Sequence, residues 1–209
     1  MPPETTTSQD YVTSDQLKAT LNIVGLSYAD ADIAAAITSA SRAIDELSNR
    51  FYYQDSATTT RIYSPTHNYE LAIHDLVSIT SLAIDLDGSL TYAQPLTRDV
   101  DYALEPVNAP LKQTGWPYTW IRILQLTTGY VFDHTMPLSV RVEGIFGWPA
   151  VPAPIQMATT MMATRFLKQM REAPFGIANF DGMGIRLGQL DPTVKMLVGP
   201  YMRHRIAVA

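Results

Sequence analysis

One corner constrains this chain more than any other stretch: VEGIFGWPAVPAPIQMA, residues 142–158. Val142, Gly144 and Phe146 alternate with Glu143 and Ile145, the period of a strand with one covered face. Gly147, Trp148 and the prolines Pro149, Pro152 and Pro154 then end the sheet, because proline fixes φ and has no amide to give a ladder, and they steer the chain into a helix. Ile155, Ala158, Met162, Phe166 and Met170 are the expected buried stripe of that helix, which should stop before Pro174. A chain with such a corner closes a β excursion and returns to helices, so the fold class is α+β.

Upstream of the corner, order is expected from Tyr11. Thr13 and Gln16 have capping-box spacing, and Leu17 and Leu21 give a short apolar face to a helix ending near Asn22. Asp30 is placed to cap a long second helix whose face is Ile33, Ile37, Ala40, Ile44, Leu47 and Phe51. Ala34, Ala35, Ala36 and Ala43 admit close approach of another helix, from the same chain or a neighbour. From Thr58 the period changes to two, and short runs broken by Pro, Gly, Asn and Asp predict six or so antiparallel strands, a small sandwich or open barrel. Asp87 and Gly88 predict a hairpin turn pairing 79–86 with 90–94. After the corner helix, a glycine-punctuated loop is expected over 175–189, and Asp191 and Pro192 open a last helix with Val194, Leu197, Val198 and Tyr201 on its apolar face. The domain reading is a flexible segment 1–10, a helical core from 11–57 and 149–209 ending in a docking tail, and a β-rich insertion 58–148.

At 46% hydrophobic and 17% charged, 209 residues can bury a substantial core. No apolar run reaches a membrane span and the first ten residues lack the pattern of a secretory signal, so the chain reads as soluble and unexported, without a membrane partner. The absence of cysteine excludes disulfides, thiolate metal sites and cysteine nucleophiles. Residues 1–155 hold 17 acidic and 8 basic groups, net −9, whereas 156–209 hold 3 and 7, net +4. The seven basic residues of that last quarter are interleaved with apolar ones, unlike a nucleic-acid arm. They are either solvated helix faces or a surface that docks on an acidic neighbour.

Reactive constellations are weak. His67, His74, His134 and His204 are far apart, so no metal is expected. Asp85 and Asp87 lack the rest of a calcium loop and fit a turn. His74 beside Asp75 suggests part of a serine-type triad, but no glycine-flanked serine elbow accompanies it. No phosphate loop or dinucleotide fingerprint is present, and no cofactor is expected. Trp116, Tyr118, Trp120, Tyr130 and Trp148 leave two readings: a face that stacks on sugars in a carbohydrate- or receptor-binding module, or the filling of a small β core, with Trp148 a wedge between sheet and helix.

Seven segments in order, YVTSDQLKATLNI, DIAAAITSASRAIDELSNRFYY, TTTRIYSP, LAIHDLVSITSLAIDLDG, DYALEPVNAP with WPYTWIRIL, VRVEGIFGWPAVPAPIQMA and LDPTVKMLVGPYMR, resemble the head-to-tail adaptor, or connector, proteins of long-tailed bacteriophages. The resemblance spans nearly the whole chain and implies a non-enzymatic virion protein. Such a protein forms a ring, commonly of twelve copies, beneath the portal protein at the neck. It is assembled in the host cytoplasm, carries the stopper or tail-completion protein, and leaves a channel through which genomic DNA passes without sequence-specific binding. An acidic subunit around such a channel would repel a duplex rather than grip it. The family contributes no catalytic residues. The contact residues expected from charge and aromatic character are Arg186, Lys195, Tyr201, Arg203 and Arg205 in the basic quarter, with Trp148 at the corner.

Overall fold

The computed structural model describes residues 9–23, 28–111, 115–124, 129–172, 177–180, 183–186 and 191–203. Its elements, in chain order, are α1 (Ser14–Ile23), α2 (Asp30–Ser48), β1 (Thr59–Tyr63), β2 (Glu70–Ile84), β3 (Gln94–Leu96), β4 (Tyr102–Glu105), β5 (Tyr118–Ile123), β6 (Val140–Phe146), α3 (Ala153–Glu172), β7 (Ile177–Phe180), β8 (Met183–Arg186) and α4 (Pro192–Val198). The fold is α+β. Two compact units divide the chain: the described residues of 1–50 and 151–203 form a helical unit, and those of 51–150 a β unit.

In the helical unit α2 and α3 pack along one another, with α1 and α4 against them. The capping box opens α1 as expected: the Gln16 amide donates to Thr13 Oγ1 at 3.2 Å and the Thr13 amide to Gln16 Oε1 at 2.8 Å. Leu17 and Leu21 are fully buried. Asp30 does not cap α2; the cap residue is Ala29, without a side-chain bond, and Asp30 and Asp32 instead lie in the first turn, where their charge suits the helix dipole. Ile33, Ala36, Ile37, Ala40 and Ile44 are buried, whereas Ala34 and Ala35 are exposed and Leu47 is half-buried. Phe51 is 53% exposed and off the helix, because Asn49 at φ 54° ends α2 in the left-handed conformation.

The corner helix α3 ends at Glu172, but its buried stripe is Ile155, Ala158, Thr159, Met162, Ala163 and Leu167. Phe166 is half-buried and Met170 is 57% exposed. Steps of four from Ala158 advance about 40° each around a helix of 100° per residue, so the expected stripe rotates into solvent by Met170. Asp191 caps α4 by accepting from the Thr193 amide at 2.7 Å, Pro192 occupies the first turn, and Val194 and Val198 are buried. The expected loop over 175–189 contains a hairpin instead, with Ile177 paired to Arg186 and Phe180 to Met183; the rest of that range lies outside the described residues.

The β unit is one continuous six-stranded sheet ordered β1-β6-β2-β5-β4, with β3 also on β2, rather than two facing sheets. The 15-residue β2 begins at Glu70, well before the expected strand 79–86; it pairs β5 from Glu70 to Leu76 and β6 from Leu76 to Ile84, with register shifts in both ladders. Those bulges bend the strand and let one ribbon serve both halves of the sheet. Gly144 of β6 sits against the bulged stretch: a Cβ there would overlap the Ser78 carbonyl oxygen and lie 2.9 Å from Leu76 Cδ1. Leu71, Ile73, Leu82, Tyr102, Ile121, Phe132, Val142 and Phe146 belong to its core. The turn after β2 is wider than a two-residue hairpin, since Ile84 pairs with Gln94 and Leu82 with Leu96. The buried Asp85 carboxylate organises it, accepting from the Leu90 amide at 2.8 Å and the Asp87 amide at 3.3 Å, while Gly88 takes φ +76°.

Candidate functional site

The corner that the sequence singles out is built inside the β unit. The segment entering that unit and the segment leaving it lie side by side: the Asp55 amide donates to the Phe146 carbonyl at 2.8 Å, the Trp148 amide to the Tyr53 carbonyl at 3.2 Å, and Gln54 and Gly147 form an antiparallel bridge. The Gly147 amide reaches across to the Asp75 carbonyl at 2.8 Å. Gly147 has φ +104°, and a methyl group there would overlap the Tyr53 carbonyl oxygen and lie 3.0 Å from Gln54 Cα. Glycine is required by both the dihedral and the approach of the two backbones.

Trp148 follows with no solvent exposure. Its ring centroid lies 5.2 Å from those of Tyr52 and Trp116, both tilted, and its Nε1 donates to Asp75 Oδ2 at 2.9 Å. Asp75, 7% exposed, is thereby a structural acceptor. His74, its neighbour on β2, faces the other way and places Nδ1 3.0 Å from the Tyr63 hydroxyl. The His74–Asp75 pair of the triad reading is thus split across the two faces of a strand. Of the aromatics in the sugar-stacking reading, Tyr118 and Trp148 are buried, Trp116 and Tyr130 pack half-buried on the core, and Trp120 is half-buried on β5.

The expected contact residues are dispersed. Trp148 is fully buried and presents no surface. Lys195 of α4 is exposed; Tyr201, in the 3-10 turn Gly199–Tyr201, and Arg203 are half-buried, with the Arg203 amide donating to the Ser48 carbonyl at 2.8 Å. Arg186 lies on β8, apart from them in the chain, and Arg205 is outside the described residues.

On the wet face of the sheet, Arg122 joins Glu70 and Glu105, each at 2.6 Å, across three strands. An open depression of about 470 Å³ is lined by Thr66, His67, Asn68, Tyr69, Glu70 and His134. There His134 Nδ1 lies 2.6 Å from Asn68 Oδ1, and Glu70 is committed to Arg122. In the wide turn, hydrogen bonds from Ser89 hold Asp87 below the usual carboxylate range, so this aspartate too has a local structural duty. Among the described residues no three histidines or carboxylates gather as metal ligands, and no helix is long and apolar enough to cross a membrane.

The capping box of α1 and the alternation of β6 were readable from spacing. The Trp148–Asp75 bond and the close approach at Gly147 were not, because each joins segments far apart in sequence. The β7–β8 hairpin did leave a signal, a two-residue Asp-Gly between Phe180 and Met183.

The sequence matches no known protein family and none of the curated proteins. Among solved structures, the fold is similar to a chain from the neck of an empty gene transfer agent (GTA) particle computed with C6 symmetry, at TM-score 0.53 and 17% identity, covering 95% of this chain and 93% of that one. It is also similar to a chain from the virion of a native gene transfer agent particle, at TM-score 0.51 and 15% identity over the same shares. At these identities the likeness is one of fold, and it takes in the helical and β parts of the chain together.

Proposed function

We propose that this chain is a structural component of the neck of a phage-like particle, acting there as a head-to-tail adaptor. The observation that carries the reading is the near-complete, two-way coverage of a chain from a particle neck, with nothing large left over on either side. The chemistry supports it: polar groups with the most suggestive sequence positions, Asp75, Asp85 and Asp87, are occupied in turns and packing. In this reading the copies form a ring beneath a portal protein. Twelve is the copy number suggested by the sequence resemblance, and it is a multiple of the sixfold symmetry of the neck to which the fold is similar. The ring would hold a stopper or tail-completion protein and let DNA through unbound. The exposed Lys195 and the half-buried Tyr201 and Arg203 supply a basic contact for the portal or an adjacent copy, and Arg186 and Arg205 are proposed contacts from the same basic quarter of the sequence.

The test is location. Particles purified from producing cells are analysed by mass spectrometry and labelled with antibody for negative-stain microscopy. Label at the junction of head and tail is expected; absence of the protein from particles overturns the proposal. Truncation of residues 192–209 should give DNA-filled heads that have lost this protein, and normal occupancy in the truncated particles would refute the docking role of the basic quarter.

A further inference from the structure

The helical unit buries a carboxylate that no part of the proposed function uses. Asp45 is 6% exposed and lies on a stripe of α2 with Thr38, Ser41 and Arg42, along which residues 9–12 run. Arg42 Nη2 donates to the Gln9 carbonyl at 2.8 Å, and Thr38 Oγ1 donates to Asp10 Oδ2 at 3.1 Å. The Tyr11 amide donates to Ser41 Oγ at 3.2 Å. Tyr11 itself is 3% exposed; its hydroxyl donates to Asp45 Oδ1, and Arg42 Nε lies 3.2 Å from Asp45 Oδ2.

We propose that Tyr11 and Asp45 form a protonation-dependent latch, which holds residues 9–12 tightly on α2 while the carboxyl is neutral and loosens when it ionises. The reason is geometric. Closing Tyr11 over Asp45 strips water from a group that needs it when charged, and its ion-pair partner Arg42 has a side chain 37% exposed, so that solvent screens the attraction. A neutral carboxyl keeps the tyrosine bond without that desolvation.

The groups that bear on Asp45 are Tyr11 from the strap and Arg42 and Glu46 from α2. Burial is the largest influence and pushes its pKa up from 3.8 to about 6, against the Tyr11 hydrogen bond and Arg42, with Glu46 adding to the rise. The folded pKa is raised, so the stabilisation of the closed latch is complete below the unfolded value and is lost as pH rises through the folded one. If opening returns Asp45 to its ordinary value, the opening constant rises about tenfold between pH 5 and pH 8.

Backbone hydrogen exchange on the full chain tests this. After correction for intrinsic rates, protection of the Tyr11 amide should fall about tenfold from pH 5 to pH 8, while amides of β6 do not follow it. Asp45→Asn should flatten the Tyr11 profile. A flat wild-type profile, an equal loss in β6, or a pH dependence that survives in Asp45→Asn overturns the proposal. Should that variant misfold, the carboxyl carbon of wild-type Asp45 is titrated by NMR: an inflection near 6 upholds the latch, and one in the ordinary aspartate range removes it.

Discussion

Gly147→Ala isolates the close approach at the corner, and Gly88→Ala supplies its control. Both glycines have positive φ, +104° and +76°, but a Cβ on Gly88 meets nothing within 4 Å, whereas one on Gly147 overlaps the Tyr53 carbonyl oxygen. The dihedral alone should penalise either alanine by about 1–2 kcal/mol. At Gly147 the two backbones must also separate, breaking the bonds from the Gly147 amide to Asp75 and from the Trp148 amide to Tyr53. At about 1 kcal/mol for each bond, plus part of the roughly 1–3 kcal/mol penalty for disturbing the buried Trp148–Asp75 contact, the total approaches about 4–5 kcal/mol. All three tryptophans, Trp116, Trp120 and Trp148, belong to the β unit, so urea unfolding followed by tryptophan fluorescence reads that unit selectively. Gly88→Ala should shift the midpoint modestly and Gly147→Ala severely. If the two variants lose the same stability within about 1 kcal/mol, the approach of Tyr53 and Gly147 is not what secures the corner.

Trp148→Phe keeps the ring stacking but withdraws the indole donor from Asp75, and should lose about 2–3 kcal/mol in the same fluorescence assay, read through the remaining tryptophans; Asp75→Asn, which retains an acceptor, should lose about 1 kcal/mol or less. Thr13→Ala removes half of the capping box and should lower the helical unit's stability by about 1 kcal/mol in a melt followed at 222 nm. A fragment of residues 51–150 should unfold cooperatively on its own, because its hydrophobic core is drawn from within it and its entering and leaving segments are bonded to each other; a fragment without a cooperative urea transition would refute this.

The legible features were those whose cause lies within one turn of helix or one hairpin. Thr13 and Gln16 announce α1, and the Val142–Gly144–Phe146 alternation is reproduced residue by residue in β6. Failures arose where a periodic or turn pattern met a competing terminator, cap or bulge. Phe51 fits the face of α2 by spacing, but Asn49 ends the helix before it. Asp87 and Gly88 form a good two-residue turn by sequence, yet the buried Asp85 carboxylate reaches Leu90 and sets a larger one. The 15-residue β2 was hidden because its bulges interrupt the period of two. In the candidate contact surface, exposure decides the matter: Lys195 and Trp148 look equally eligible in sequence, and the structure leaves the first in solvent and encloses the second.

The corner's lack of reactive chemistry has the same origin as its stiffness. A β unit inserted between helices must bring its two chain crossings together, and here Phe51–Asp55 and Phe146–Trp148 do so by pairing with each other. Pairing of that kind needs bare backbone, hence Gly147, and a seal against water, hence Trp148 over Tyr52 and Trp116. The sealing indole needs an acceptor, hence a buried carboxylate on the central strand β2. Each polar group at the corner is therefore explained by the closure of the insertion. Away from the corner, Lys168 and Lys195 are exposed, and on the wet face of the sheet Arg122 bridges Glu70 and Glu105.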